Sequence, residues 1–104
     1  MAIKVNFRTA KLRRCFNKSQ EAIRAWGDKV GRNYVKRIKD IEAAAKVEDL
    51  YKLPHLGFHP LREDRKGQYA VELGYRARMI VTVAQGGKIE IVTVQEVDQR
   101  HYEN

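Results

Sequence analysis

Residues 68–97 read QYAVELGYRARMIVTVAQGGKIEIVTVQEV, and their alternation decides the fold class. Tyr69, Val71 and Leu73 fall on one face of a strand, and Ala77, Met79, Val81 and Val83 on one face of the next, because side chains two apart in an extended chain point the same way. Gly86-Gly87 predicts a tight hairpin turn, and Ile89–Val97 is a third run rich in Ile and Val. Three strands in succession joined by short turns make a meander. Toward the amino terminus, residues 53–67 hold two prolines, two glycines and two histidines beside a tight run of charges, which is loop composition. Before that loop, helical spacing takes over. Val30, Tyr34, Ile38, Ile41 and Ala45 recur at intervals of three and four, leaving Lys29, Arg32, Lys36, Arg37 and Lys39 on other faces. Asp28 is placed to cap this helix, and Val47–Leu50 predicts one more turn that Pro54 stops. Glu21–Trp26 predicts a helical turn ahead of Gly27. Leu12, Cys15 and Phe16 mark a short amphipathic helix from about Ala10, capped by Thr9 and interrupted over 17–19. Ile3, Val5 and Phe7, alternating with Lys4, Asn6 and Arg8, form a first strand. The expected architecture is α+β: an N-terminal strand, two or three helices, then an antiparallel β-meander, with helices on one sheet face and the other face open to a ligand.

A chain of 104 residues and 12.1 kDa has material for one core, so a single domain over 1–104 is expected. Hydrophobic residues at 43% and charged residues at 33% match a globular chain rather than a disordered one. Apolar runs such as Met79–Ala84 fall far short of the roughly 20 residues a membrane span needs. The amino terminus has no secretory-signal pattern, and a cytoplasmic location is expected. Cys15, the one cysteine, excludes an internal disulfide and reads as a small apolar filler. The net charge of +8 points to an anionic partner. It is concentrated over 8–52, where 13 basic residues face six acidic ones, while 53–104 is neutral.

The missing motifs narrow the chemistry. There is no phosphate-cradling GK[ST] loop, no dinucleotide fingerprint and no HExxH pair. His55, His59 and His101 lie in separate segments without zinc-ligand spacing, so no metal and no cofactor is expected. What remains is cationic and titratable: His59 and Arg62, then Arg65-Lys66, Arg76 and Arg78, and His101-Tyr102 near the end. Cutting RNA without a metal needs a base for the ribose 2′-OH, an acid for the departing oxygen and fixed positive charge at the phosphorane, and these residue types can fill all three roles. Arg76 and Arg78 are expected on the open sheet face, as a phosphate clamp or as ordinary solvent-facing alternation. His59 reads either as a functional group or as a loop-packing histidine, and His101-Tyr102 either as functional groups or as a frayed end.

The run Leu53-Pro54-His55-Leu56-Gly57-Phe58-His59-Pro60-Leu61-Arg62, followed by Asp64–Leu73, Arg78–Val81, Glu96-Val97 and His101-Tyr102, resembles the HigB group of the RelE/ParE superfamily, the plasmid-maintenance killer proteins. The resemblance covers most of the chain and is most specific between His59 and Leu73. It implies a RelE-like fold and the toxin of a type II toxin–antitoxin pair. The toxin would be an mRNA interferase, an endoribonuclease that cuts messenger RNA in the ribosomal decoding site. The implied partners are a cognate helix-turn-helix (HigA-like) antitoxin, the ribosome and mRNA, with no membrane and no small-molecule ligand. By position, the resemblance implies catalytic roles for His59, Arg62, Lys66, Arg78, His101 and Tyr102, with Arg78 stabilising the phosphate. Arg62 stands where the family commonly has lysine; its pKa above about 12 restricts it to electrostatics and leaves proton transfer to His59 or His101, with Lys66 in reserve. The family's usual Asp-Tyr-His ending is here reordered to Asp98-Gln99-Arg100-His101-Tyr102. Arg13, Arg14, Lys36, Arg37, Arg65 and Arg76 are the candidate contacts to RNA phosphates. Two other readings accompany this one: a ParE-like toxin that inhibits DNA gyrase without catalytic residues, and a non-catalytic RNA-binding module.

Overall fold

The computed structural model describes residues 3–61 and 66–99. In order, the elements are β1 (Ile3–Phe7), α1 (Ala10–Asn17), α2 (Ser19–Trp26), α3 (Asp28–Ala43), two 3-10 turns (Val47–Lys52 and Pro54–Leu56), β2 (His59–Pro60), β3 (Gln68–Gly74), β4 (Ala77–Gly86) and β5 (Ile89–Asp98). The sheet runs β1-β5-β4-β3-β2. The meander is antiparallel, whereas β1 pairs parallel with β5. Among the described residues, no helix is long and apolar enough to cross a membrane.

Helix boundaries follow local chemistry. Thr9 caps α1, its hydroxyl accepting the Leu12 N–H at 3.2 Å. Gly27, at φ +92°, ends α2 and starts α3: its N–H donates to the Ile23 carbonyl at 2.7 Å, and its own carbonyl accepts from Gly31 at 2.8 Å. Asp28, expected as the cap, is instead the first helical residue and pairs with Arg32 one turn on at 2.8 Å. The α3 stripe stops short of Ala45, which lies exposed beyond the helix end at Ala43. Of the expected Gly86-Gly87 turn, Gly86 still pairs with Ile89, so the two-residue loop is Gly87-Lys88 with only Gly87 at positive φ.

Val30, Tyr34, Ile38 and Ile41 bury the apolar stripe of α3 against Val71, Leu73, Met79, Val81, Val92 and Val94 on the inner sheet face. Cys15 joins this core at 2% exposure. The Tyr34 hydroxyl donates to the Leu12 carbonyl at 2.8 Å, tying α3 to α1. Tyr34→Phe should therefore lower stability by about 1 kcal/mol, read as a shift in the urea midpoint. Burial pushes the Tyr34 hydroxyl well above its ordinary range, with the neighbouring Cys15 adding to it, and burial likewise raises Cys15. The folded chain thus holds both protons at pH values where the unfolded chain has begun to lose them. Their contribution is whole below about pH 9 and is lost as pH rises through the raised folded values. The urea midpoint should fall above about pH 9, and less steeply in a Cys15→Ala, Tyr34→Phe double variant.

Candidate functional site

The sheet registers line up the outward-facing residues in rows. Glu72 on β3 stands opposite Arg78 on β4, and Arg78 opposite Asp98 on β5. One row away, His59 on β2 stands opposite Ala70, then Ile80, then Glu96. A third row runs from Gln68 to Thr82, whose hydroxyl accepts from Gln95 at 3.0 Å; the Gln68 Oε1 beside it is buried with no donor among the described residues. The face expected to be open is closed at its centre, since Ala70 and Ile80 expose no surface. They form an apolar floor between the polar rows.

His59 belongs to a short strand, not to the irregular loop its composition predicts, and pairs with Ala70. Its Nδ1 lies 2.8 Å from the Gly57 carbonyl. A carbonyl only accepts, so Nδ1 carries the hydrogen and neutral His59 presents an unprotonated Nε2, a proton acceptor. Gly57 is needed there: at φ +54° it turns the chain, and a Cβ would lie 2.5 Å from Glu72 Cγ. The Glu72 side chain thus packs over the residue that orients His59. Diagonal neighbours of this kind are roughly 7–8 Å apart, and directly opposed ones such as Glu72 and Arg78 roughly 5 Å. His59, Glu72 and Arg78 are therefore contiguous.

Arg78 is half-buried, with its side chain 22% exposed beside an Asp98 side chain at 19%. Its Nε donates to Asp98 Oδ2 at 3.3 Å. The two terminal nitrogens of the guanidinium meet no acceptor among the described residues, which leaves a fork for a phosphate.

Other sequence candidates sit elsewhere. Arg76 is not on the sheet face: Gly74, Tyr75 and Arg76 all have positive φ, so the β3–β4 turn consumes Arg76 and the strand begins at Ala77. Lys66 is exposed in the turn before β3. Arg37 reaches the sheet margin, where its Nε donates to the Glu72 carbonyl at 3.1 Å. Arg13 stacks over the Phe7 ring at 5.5 Å, and Arg14 and Lys36 are exposed on the helical layer, across the sheet from His59. Arg62, Arg65, His101 and Tyr102 lie outside the described residues.

Sequence reasoning followed cations and missed the carboxylates. Glu72, Glu96 and Asp98 share this face, so the site mixes charges. The outward phase of Glu72, one residue from Val71 and from Leu73, was the available signal. Among the described residues, no group of three or more His, Cys, Asp or Glu side chains is arranged to hold a metal ion. An acceptor nitrogen, the Glu72 carboxylate and a guanidinium fork on one surface can take a proton and hold an anionic centre.

No protein-family model matches the chain, and no curated protein matches it. Among solved structures it is similar to a YoeB/ParE toxin from Agrobacterium tumefaciens, with a TM-score of 0.56 and 15% identity over 94% of this chain and 99% of that one. At that identity the likeness establishes a shared fold along nearly the whole of both chains.

Proposed function

We propose that the chain is the toxin of a type II toxin–antitoxin pair and an endoribonuclease that cuts messenger RNA on the ribosome. The observation that carries this reading is the contiguity of His59, its Nε2 left as an acceptor, with Glu72 and Arg78 on one face. His59 Nε2 takes the ribose 2′-OH proton, with Glu72 on the neighbouring strand of the same face. The oxygen then attacks the adjacent phosphorus, while Arg78 holds the charge that gathers on the phosphorane. The P–O5′ bond breaks with a proton delivered to O5′ by an acid, for which His101 is the candidate and Lys66 the reserve, while Tyr102 stacks on a base. The products are a 2′,3′-cyclic phosphate and a 5′-hydroxyl. Arg13, Arg14, Lys36, Arg37, Arg65 and Arg76, with Arg62, supply contacts to RNA phosphates. A small acid–base set suits an enzyme whose substrate the ribosome positions, because positioning can supply about 7–11 kcal/mol of the barrier. A helix-turn-helix antitoxin of the HigA kind is the proposed partner.

Three outcomes separate the readings when purified protein meets translating ribosomes, gyrase and RNA. Cuts within messenger codons support the nuclease. Blocked supercoiling without cuts supports a gyrase-directed toxin, which the name of the structural relative keeps in view. Binding to RNA without cuts leaves a binding module. His59→Ala should reduce cleavage by about 10²–10⁴-fold, the usual contribution of a positioned acid–base group, with thermal stability nearly unchanged because His59 is exposed.

A further inference from the structure

Within the helical layer, α1 and α2 line an open cleft of about 250 Å³, bounded by Lys11, Arg14, Cys15, Glu21, Arg24 and Ala25. Among the described residues its one acidic lining residue, Glu21, is engaged by Arg24 at 3.2 Å. Lys11 and Arg14 have no carboxylate partner among the described residues, and helix α1, AKLRRCFN, contains no acidic residue at all.

Three features make this arrangement attractive to an anion. Lys11 and Arg14 are three apart, so they project from the same helix face and repel. Lys11 sits in the first turn of α1, where the helix dipole disfavours a cation. Arg24 brings a third positive charge across from α2, leaving the walls at net +2 after Glu21 is counted. Burial keeps the Cys15 thiol protonated, so the floor adds no negative charge. The space equals about eight water molecules at their share of the liquid, which is room for one tetrahedral anion and part of what it is attached to.

We infer that the α1–α2 cleft is a phosphate-binding site, with the Arg14 and Arg24 guanidinium groups and the Lys11 ammonium as its donors. A guanidinium fork matches two phosphate oxygens, and a dianionic phosphate balances the net charge of the walls. The site lies across the sheet from His59 and Arg78 and stands whether or not those residues cleave RNA. The phosphate is either a terminal monoester or a diester within an RNA backbone.

The test is a titration of the full chain followed by its backbone amide resonances at constant ionic strength. Inorganic phosphate should shift residues 11–15 and 21–25 to saturation, and a Lys11→Gln, Arg14→Gln double variant should weaken that binding at least tenfold. A Lys29→Gln, Lys39→Gln variant, which removes the same charge from α3, should bind as the parent does. Adenosine monophosphate binding more tightly than adenylyl-adenosine identifies a terminal phosphate, and the reverse order identifies the RNA backbone. Shifts that do not saturate, that spread equally along α3, or that survive the Lys11, Arg14 double variant overturn the assignment.

Discussion

Arg78→Ala should lower messenger cleavage on the ribosome by about 10²–10³-fold, the cost typical of removing one preorganised donor from a developing oxyanion. The size of the effect follows from where Arg78 sits. Its side chain is held by the Asp98 carboxylate at 3.3 Å and is only 22% exposed, so its fork is fixed in direction before a substrate arrives. Preorganisation of this kind avoids reorienting a flexible cation as charge builds up. Loss of the ion pair should cost stability on the order of 1 kcal/mol, because the pair is part-buried rather than solvated. Activity and stability therefore separate: the unfolding temperature should drop by a few degrees while the rate collapses. Arg78→Lys keeps the charge without the planar fork and should recover only part of the rate. Cleavage by Arg78→Ala within threefold of the parent would remove Arg78 from the mechanism.

The second large effect concerns stability and lies far from the sheet face. Gly31→Ala should destabilise the chain by about 2 kcal/mol net, although alanine is favoured over glycine in a helix by about 1 kcal/mol. A Cβ at position 31 would lie 2.7 Å from the Ala22 carbonyl carbon and oxygen and from the Ile23 nitrogen. All three are backbone atoms, so no side chain can rotate away and α2 must separate from α3. Ala22, fully buried at the same crossing, shows how closely the helices approach. For a domain of this size the unfolding temperature should fall by roughly 8–16 °C, measured by thermal denaturation. An unchanged or raised temperature would mean that the two helices can part without cost.

The elements with many repeats of one period were legible in the sequence. The α3 stripe through Val30, Tyr34, Ile38 and Ile41 and the alternation in β3, β4 and β5 each repeat the same spacing several times, and burial follows it except at Ala70 and Ile80, which are buried on the outer face. What escaped were features fixed by a partner distant in the chain. His59-Pro60 is too short to show alternation and is a strand only because Ala70 and Tyr69 lie beside it. The parallel pairing of Ile3–Phe7 with 90–94 leaves no local mark. Arg76 was misplaced because turns with two successive positive φ angles are normally built from Gly, Asn or Asp, and here Tyr75 and Arg76 occupy them, with Tyr75 67% exposed at the tip. In the candidate site, His59 and Arg78 were visible by residue type. Glu72 was not, since its importance comes from packing over Gly57 and facing Arg78.

The central claim is that the outer sheet face drives a ribose 2′-OH against its own phosphodiester. A messenger carrying a single 2′-O-methyl group at the mapped cleavage position, presented on ribosomes beside its unmodified twin, tests that directly. The account predicts that the unmodified strand yields a 2′,3′-cyclic phosphate and a 5′-hydroxyl, and that the methylated strand stays intact at that position. Equal cutting of both strands at the same bond would show that water or another group attacks the phosphorus, and the roles given to His59 and Arg78 would fall together.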